Sequence, residues 1–324
     1  MLRNKRLTNN LLLLLITTVF CLLIAEVGLR KFLGSRLGVY KDERNLTYRY
    51  DRILGWFPME NSSKQYQADR LIDIKHNSRG FRDDEHVISA RPRMMVLGDS
   101  FVWGYDVEKS ERFTEKLRKL LPNWSVYNLG VSGYGTDQEY LLLQQNYDYY
   151  KPNIVFLVFC NDNDEDDNTR NIRYAGYYKP YFGVKGSDIE LKGTPVPKSE
   201  NYFFVNHDIL AHSYLARLAA KAYFKSINPP LVKTKNPTYR IISEFYAMSI
   251  DKGFQFIMGL EENSPQLESF LFDEKIPYVI LANPYRFSSE NRHWTPKGHD
   301  FVADKIYRFL LDNDYLKADA GLTR

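Results

Sequence analysis

The chain has 324 residues, 44% hydrophobic and 26% charged, with a formal net charge of +4. That is enough for one enlarged domain or two small ones, and the modest charge without a basic stripe gives no case for a nucleic-acid partner. Its two cysteines, Cys21 and Cys160, exclude a disulfide framework and a thiolate metal site.

The first predicted element is a membrane segment. Leu11 to Ala25 is apolar apart from two threonines, and Val27, Gly28 and Leu29 extend it past Glu26. That amounts to roughly the 17–20 residues a bilayer core requires. Arg3, Lys5 and Arg6 precede it, as in a signal peptide or signal anchor. No small-x-small cleavage site follows, and Phe20 ahead of Cys21 spoils a lipoprotein-type processing site. An uncleaved anchor over residues 1–30 is therefore expected, with the bulk of the chain outside the cytoplasm (periplasmic in a Gram-negative cell). A cleaved signal peptide is the alternative, and Arg30, Lys31 and Arg36 on the far side weaken the charge rule.

Residues 31–92 are polar and punctuated by aromatics, with no sustained period. They read as an extension packed over the edge of the main domain. From Arg93 strands and helices alternate. Met94–Leu97 reads as a buried strand, Glu111–Leu121 as an amphipathic helix and Ser125–Gly130 as a second strand. The turn Val131-Ser132-Gly133-Tyr134-Gly135 follows, then a helix over Asp137–Tyr150 with Thr136 or Asp137 as its N-cap. Ile154–Phe159 is a continuous apolar run of the kind buried on both faces. An interruption at about 163–237 holds an acidic run, the tyrosines Tyr174, Tyr177, Tyr178 and Tyr181, and a helix near Ile209–Lys225. Alternation resumes with a helix at Tyr239–Lys252, a strand at Phe254–Met258, a short helix at Gln266–Phe272, a strand at Tyr278–Leu281 and a closing helix at Pro296–Leu311. This order implies a three-layer α/β/α sandwich around a parallel sheet of about five strands over residues 93–315, with a tail at 316–324.

Three strand ends then fall at one edge of that sheet, where open α/β folds bind ligands. They carry Gly98-Asp99-Ser100, Asn128-Leu129-Gly130-Val131-Ser132-Gly133 and Cys160-Asn161-Asp162. A loop after the last strand carries His293-Trp294-Thr295-Pro296-Lys297-Gly298-His299. Read singly, Asp99-Ser100 is an ordinary turn, Gly133 a turn glycine and Asn161 a strand-ending cap. Together, a serine within reach of a histidine is a nucleophile, a glycine lets a backbone N–H approach substrate, and an asparagine amide is a neutral oxyanion donor.

The four blocks, in this order, resemble the SGNH hydrolases, also called the GDSL esterase/lipase superfamily. Gly80-Phe81-Arg82 and Lys179-Pro180-Tyr181-Phe182 extend the resemblance to its membrane-anchored bacterial members. It implies a flavodoxin-like sheet, Ser100 as nucleophile, His293 as base, and an oxyanion hole from the Ser100 and Gly133 N–H groups and Asn161. His299, inside the closing helix, is the rival base, and packing suits it better. The third triad member departs from the pattern. Where an Asp is usual, the chain has Glu290 or Asn291. An Asp in that role fixes the imidazole tautomer. Glu290, Asn291 or a Ser–His dyad held by a backbone carbonyl all remain open from sequence.

Asp99, Trp103 and Trp294 are the candidate substrate contacts. Trp103 and Tyr105 wall the cleft or pack against a helix, and the tyrosines of the interruption stack on sugar rings or fill its core. Asp162, Asp164, Glu165, Asp166 and Asp167 read as a solvated acidic loop, because the glycine and terminal Glu of a calcium loop are missing. No metal and no cofactor is expected. The resulting expectation is a membrane-anchored esterase acting on O-acyl groups of a cell-envelope or exported polysaccharide. An O-acetyltransferase using the same residues, or an inactive polysaccharide-binding component, is the alternative.

Overall fold

The computed structural model describes residues 2–39, 47–174, 176–186, 188–288 and 292–316. Helix α1 (Leu2–Leu33) opens the chain. Its Lys5–Leu33 segment of 29 residues reaches a mean hydropathy of 2.5 in a window with none of it buried, so it is long and apolar enough to cross a membrane. Two antiparallel hairpins follow, β1 (Tyr48–Asp51) with β2 (Gly55–Pro58) and β3 (Ser63–Gln67) with β4 (Leu71–Lys75).

The α/β domain runs β5 (Arg93–Leu97), α2 (Ser100–Trp103), α3 (Phe113–Leu120), β6 (Ser125–Asn128), α4 (Thr136–Tyr150) and β7 (Ile154–Phe159). An excursion then supplies α5 (Asp164–Asn168), the strand pairs β8 (Ile172–Arg173) with β9 (Tyr177–Tyr178) and β10 (Tyr181–Lys185) with β11 (Asp188–Lys192), and helices α6 (Glu200–Asn206), α7 (Asp208–Ala211) and α8 (Tyr214–Ile227). The domain closes with α9 (Thr238–Lys252), β12 (Gln255–Leu260), α10 (Pro265–Asp273), β13 (Tyr278–Ile280) and α11 (Pro296–Asp312).

Five strands form one parallel sheet in the order β13-β12-β7-β5-β6. Side chains alternate across a strand, so each apolar run feeds two cores. Met95, Leu97, Val155, Leu157, Phe256 and Met258 pack with Leu141 and Leu142 of α4 and Ile241 and Phe245 of α9. Met94, Val96, Phe156, Val158 and Ile257 pack with Phe113 and Leu117 of α3 and Val302 and Ile306 of α11. The three-layer α/β/α sandwich expected from sequence is therefore the architecture observed. The chain enters the sheet at β5, moves out to β6, then crosses to β7 on the other side. That reversal opens a crevice beyond the carboxyl ends of β5 and β7.

The extension at 47–92, aperiodic in sequence, is two hairpins pressed onto the loops at that crevice. Trp56 is fully buried, and its Nε1 donates to the Ser132 carbonyl at 3.2 Å. Ile72 and Ile74 pack on Trp103. The excursion is latched by Lys179, which is buried and ion-paired with Asp137 in the first turn of α4. Tyr177 lies in the same core, edge-on to Trp56 and Tyr202. Helix α4 begins one residue earlier than expected, with Gly135 at the N-cap position. The helix expected near Ile209–Lys225 is split into α7 and α8, with Ser213 as the N-cap of α8.

Candidate active site

The site begins where β5 ends. Gly98 adopts φ +153, and a Cβ there would meet Val102 Cγ2 at 2.3 Å and the Val158 carbonyl at 3.1 Å. Only glycine permits so abrupt a turn from strand into helix. Asp99 caps α2 by accepting from the Phe101 amide at 3.0 Å. The amides of Gly104 and Tyr105 both return to the Ser100 carbonyl, at 2.9 and 3.0 Å. The sequence thus fixes Ser100 at the first turn of α2, half-buried, at the crevice.

His293 lies opposite it, with Nε2 2.8 Å from Ser100 Oγ. The histidine loop is tied down at several points. The Phe287 amide donates to the His293 carbonyl at 2.9 Å, and the Thr295 amide donates to the Tyr285 carbonyl at 3.0 Å. Arg286 donates to the Arg292 carbonyl at 3.1 Å and pairs with Glu261 and Glu262 beyond the end of β12. Burial pushes the Glu261 carboxyl up to about 7 against the pull of Arg286. The imidazole is held between two rings, Tyr105 stacked at 4.6 Å and Phe101 at 5.0 Å. His299 is elsewhere. Its Nδ1 accepts from the Phe113 amide at 3.2 Å, and burial pushes its pKa down to about 3.

The neighbouring strand ends flank this pair, because β5 lies between β6 and β7. Asn128 donates to the Val102 carbonyl at 2.7 Å and accepts from the Gly130 amide at 2.9 Å, locking the β6 loop to α2. That loop then turns through Gly133 at φ +84. Past β7, Asn161 accepts from the Glu262 amide at 3.0 Å through Oδ1, which leaves its NH2 end as the donor. Ser100, His293, Gly133 and Asn161 therefore share one edge of the sheet.

One residue at the site was not anticipated from sequence. Asp106 is fully buried, and its Oδ2 lies 3.7 Å from His293 Nδ1. Among the described residues, neither atom has a hydrogen-bond partner. The available sequence signal was an aspartate in the turn Gly104-Tyr105-Asp106-Val107, immediately after the helix that carries Ser100. Glu290 and Asn291, the expected orienting residues, lie outside the described residues.

Three expected substrate contacts are buried. Asp99 is 1% exposed and spends its carboxylate on the α2 cap. Trp103 is 0% exposed, packed on Ile72 and Ile74 with the Arg82 guanidinium 4.7 Å over its ring. Trp294 is also fully buried, edge-on to Phe101 and Phe113. None of the three has surface to offer a ligand.

The acidic run is corrected. Asp164 and Asp167 are buried, not solvated. Asp164 accepts from the Cys160 amide at 3.0 Å, and Asp167 pairs with Arg173. Burial, then the neighbouring Asp99, pushes Asp164 well above the usual carboxylate range. Burial, then Asp164, does the same to Glu139. Among the described residues, no grouping of three His, Cys, Asp or Glu side chains is placed to hold a metal ion.

No family model and no curated protein matches the chain. Solved structures similar to it include a member of the lipolytic protein G-D-S-L family from Veillonella parvula, at 14% identity and a TM-score of 0.39, covering 67% of this chain and 96% of that one. Another is the Clostridium thermocellum family 3 carbohydrate esterase, at 13% identity and a TM-score of 0.40, covering 72% and 100%. A third is a two-domain esterase active on acetylated mannans, at 12% identity and a TM-score of 0.38, covering 70% and 50%.

Proposed function

We propose that this chain is a serine ester hydrolase of the SGNH type. The observation that carries this is the 2.8 Å contact between Ser100 Oγ and His293 Nε2 at the switch point of the sheet. As Ser100 Oγ adds to the ester carbonyl carbon, its proton passes to Nε2. The oxyanion that forms is held by the backbone N–H groups of Ser100 and Gly133 and by the NH2 of Asn161. On collapse the carbon–oxygen bond to the alcohol breaks, and Nε2 returns the proton to the leaving oxygen. Water then repeats the two steps on the acyl-serine and releases the acid. Loss of one oxyanion donor in such sites lowers kcat about 10²–10³-fold.

The substrate class we assign is an O-acyl ester on a cell-envelope or exported polysaccharide, with the domain outside the cytoplasm. What supports it is the tether. Helix α1 is long and apolar enough to cross a membrane and packs directly on α8, which ties the domain to that segment.

The full chain in detergent, with p-nitrophenyl acetate and a serine-directed fluorophosphonate, tests the reaction. Labelling of Ser100 that Ser100→Ala abolishes and His293→Ala strongly slows is expected, together with acetate release from an acetylated polysaccharide. A folded wild-type chain that neither labels nor turns over at any pH would remove the hydrolase reading.

A further inference from the structure

The catalytic pair needs a group on the far side of the imidazole, and the structure offers one at a distance in sequence. We propose that Asp106 is the positioning residue for His293. Its carboxylate accepts the Nδ1–H of the ring and so aims Nε2 at Ser100. This inference rests on the Ser100–His293 pair proposed above.

Four observations converge on it. First, the carboxylate is oriented and half unused. Oδ1 accepts from the Asp69 amide at 2.9 Å, while Oδ2, without a hydrogen-bond partner among the described residues, lies 3.7 Å from an Nδ1 equally without one. Nδ1 and Nε2 are opposite ends of one ring, so a group at Nδ1 leaves Nε2 for the serine. A separation of 3.7 Å is a long contact of the kind that tightens when substrate arrives.

Second, the aspartate has no solvent to fall back on. It is 0% exposed, and a buried carboxylate with a single backbone donor is costly unless a positive partner forms beside it. The imidazolium created when Ser100 gives up its proton is such a partner.

Third, the backbone holds Asp106 at φ +64, a left-handed conformation uncommon for a residue with a side chain. The surrounding turn imposes it. Arg82, itself buried, donates to the carbonyls of Gly104 at 2.6 Å and Val107 at 2.9 Å, on either side of Asp106. A strained residue kept in place by a buried guanidinium marks a site where geometry is being enforced.

Fourth, the ring cannot easily turn away. Tyr105 stacks on one face at 4.6 Å and Phe101 lies against the ring at 5.0 Å. Tyr105 is anchored in turn by its hydroxyl, 2.8 Å from the Tyr66 hydroxyl on β3. The nucleophile helix and the turn that follows it therefore supply the serine, a ring clamp and the orienting carboxylate. The histidine loop supplies only the base.

Other ionisable groups near the ring have different assignments. Arg286 on the same loop is paired with Glu261 and Glu262, Asp99 caps α2, and His299 of α11 is kept neutral by burial. Among the described residues, Asp106 is the carboxylate within 4 Å of Nδ1.

The test uses the full chain in detergent, labelled with ¹⁵N-histidine, and two variants. Asp106→Asn keeps the shape but presents an NH2 to Nδ1, favouring the wrong tautomer. Asp106→Gly suits the positive φ and simply removes the carboxylate, so a folded protein is available even if the first variant is unstable. In both, the His293 pKa read from the ring nitrogens should fall by about 1–2 units, because an opposite charge within reach of the imidazolium is gone. Fluorophosphonate labelling of Ser100 should slow about 10²–10⁴-fold in Asp106→Asn. A His293 titration within about 0.3 unit of wild type in both folded variants, or an equal loss carried by Glu290→Gln instead, would overturn the assignment. The titration reads the Asp106–His293 contact whether or not the wild type labels. Absent labelling therefore removes the hydrolase reading separately.

Discussion

Arg82 Nη1 donates to the Gly104 carbonyl at 2.6 Å, joining the extension ahead of the sheet to the turn that ends the Ser100 helix. The same guanidinium reaches the carbonyls of Asp73 at 2.9 Å and Val107 at 2.9 Å, so one buried cation ties β4 to the turn after α2. Burial, then the nearby Arg112, lowers its pKa to about 9, which leaves it charged at neutral pH. Arg112 fastens the arrangement from behind by donating to the Arg82 carbonyl at 2.5 Å. The extension is therefore part of the scaffold of the candidate site and not a detachable cover.

Arg82→Lys retains the charge but cannot fork to several carbonyls at once. Each charge-assisted bond is worth about 1.5–3 kcal/mol, so losing two or more should cost about 3–5 kcal/mol of stability by denaturant titration. Phosphonate labelling of Ser100 should slow as well, since the turn carrying Tyr105 and Asp106 loosens. A variant with unchanged stability and labelling would show that the buried bonds are dispensable.

Asp99 offers a second separation. As a helix cap it can be replaced by asparagine, which caps equally well, whereas alanine leaves the Phe101 amide unsatisfied. Asp99→Asn should keep wild-type stability to within about 0.5 kcal/mol, and Asp99→Ala should lose about 1 kcal/mol or more. Activity losses in Asp99→Ala should fall on kcat, because the serine is displaced while no substrate contact is removed. A change confined to KM would restore Asp99 to the substrate surface.

The strands of the sheet were legible because a buried strand writes itself as an unbroken apolar run, and Ile154–Phe159 could hardly be anything else. The hairpins at 48–75 were not. Ser63–Gln67 carries no apolar alternation, and β4 is specified by Trp103, a residue far along the chain that Ile72 and Ile74 must cover. The shared position of Ser100, Asn161 and His293 could be read because each follows a strand. Asp106 could not, since nothing local says that a turn aspartate will meet a histidine from the end of the chain. The burial of Trp103 and Trp294 was hidden for the same reason. An indole beside a nucleophile suggests a binding wall until the elements packed over it are known.

Acid should destabilise the fold through two histidines. Burial lowers His76 to about 4 and His299 to about 3, against an ordinary value of 6.5. The unfolded chain binds protons at both positions below about pH 6.5, whereas the folded chain does not until about pH 4 or lower. The stability these two histidines contribute is thus complete above pH 6.5 and is lost as pH falls, by up to about 1.4 kcal/mol per unit for each histidine. Replacing both with glutamine should flatten the urea-midpoint profile between pH 7 and 5. An unaltered acid limb would assign the effect to other groups.

The Lys179–Asp137 pair should behave as a latch. Both side chains are fully buried, and Lys179 also donates to the carbonyls of Asp167 at 3.1 Å and Pro180 at 3.0 Å. Burial raises the Asp137 carboxyl while Lys179 pulls it back. Lys179→Met would strand a buried carboxylate and should cost about 3–5 kcal/mol. Lys179→Met combined with Asp137→Asn should recover most of that loss, because no unpaired charge remains. Equal destabilisation in the single and double variants would argue that the lysine matters for its carbonyl bonds alone.

The junction between α1 and the excursion makes the last case. Glu26 of α1 accepts from the amides of Tyr214 at 2.8 Å and Leu215 at 3.0 Å and from the Ser213 hydroxyl at 3.0 Å, while Arg30 donates to the His212 carbonyl at 3.2 Å. A carboxylate at the start of α8 satisfies otherwise orphaned donors and complements the helix dipole. The acidic residue that interrupts an otherwise apolar segment is therefore a connector that sets α8 against α1. Glu26→Ala should speed hydrogen exchange at residues 213–216 by about 5–30-fold, the equivalent of about 1–2 kcal/mol of local stability. Phosphonate labelling of Ser100 in detergent should stay at the wild-type rate, because the catalytic loops are braced by Arg82 and Arg286 and not by α8. Loss of labelling in that variant would mean that the membrane-side junction reaches into the site itself.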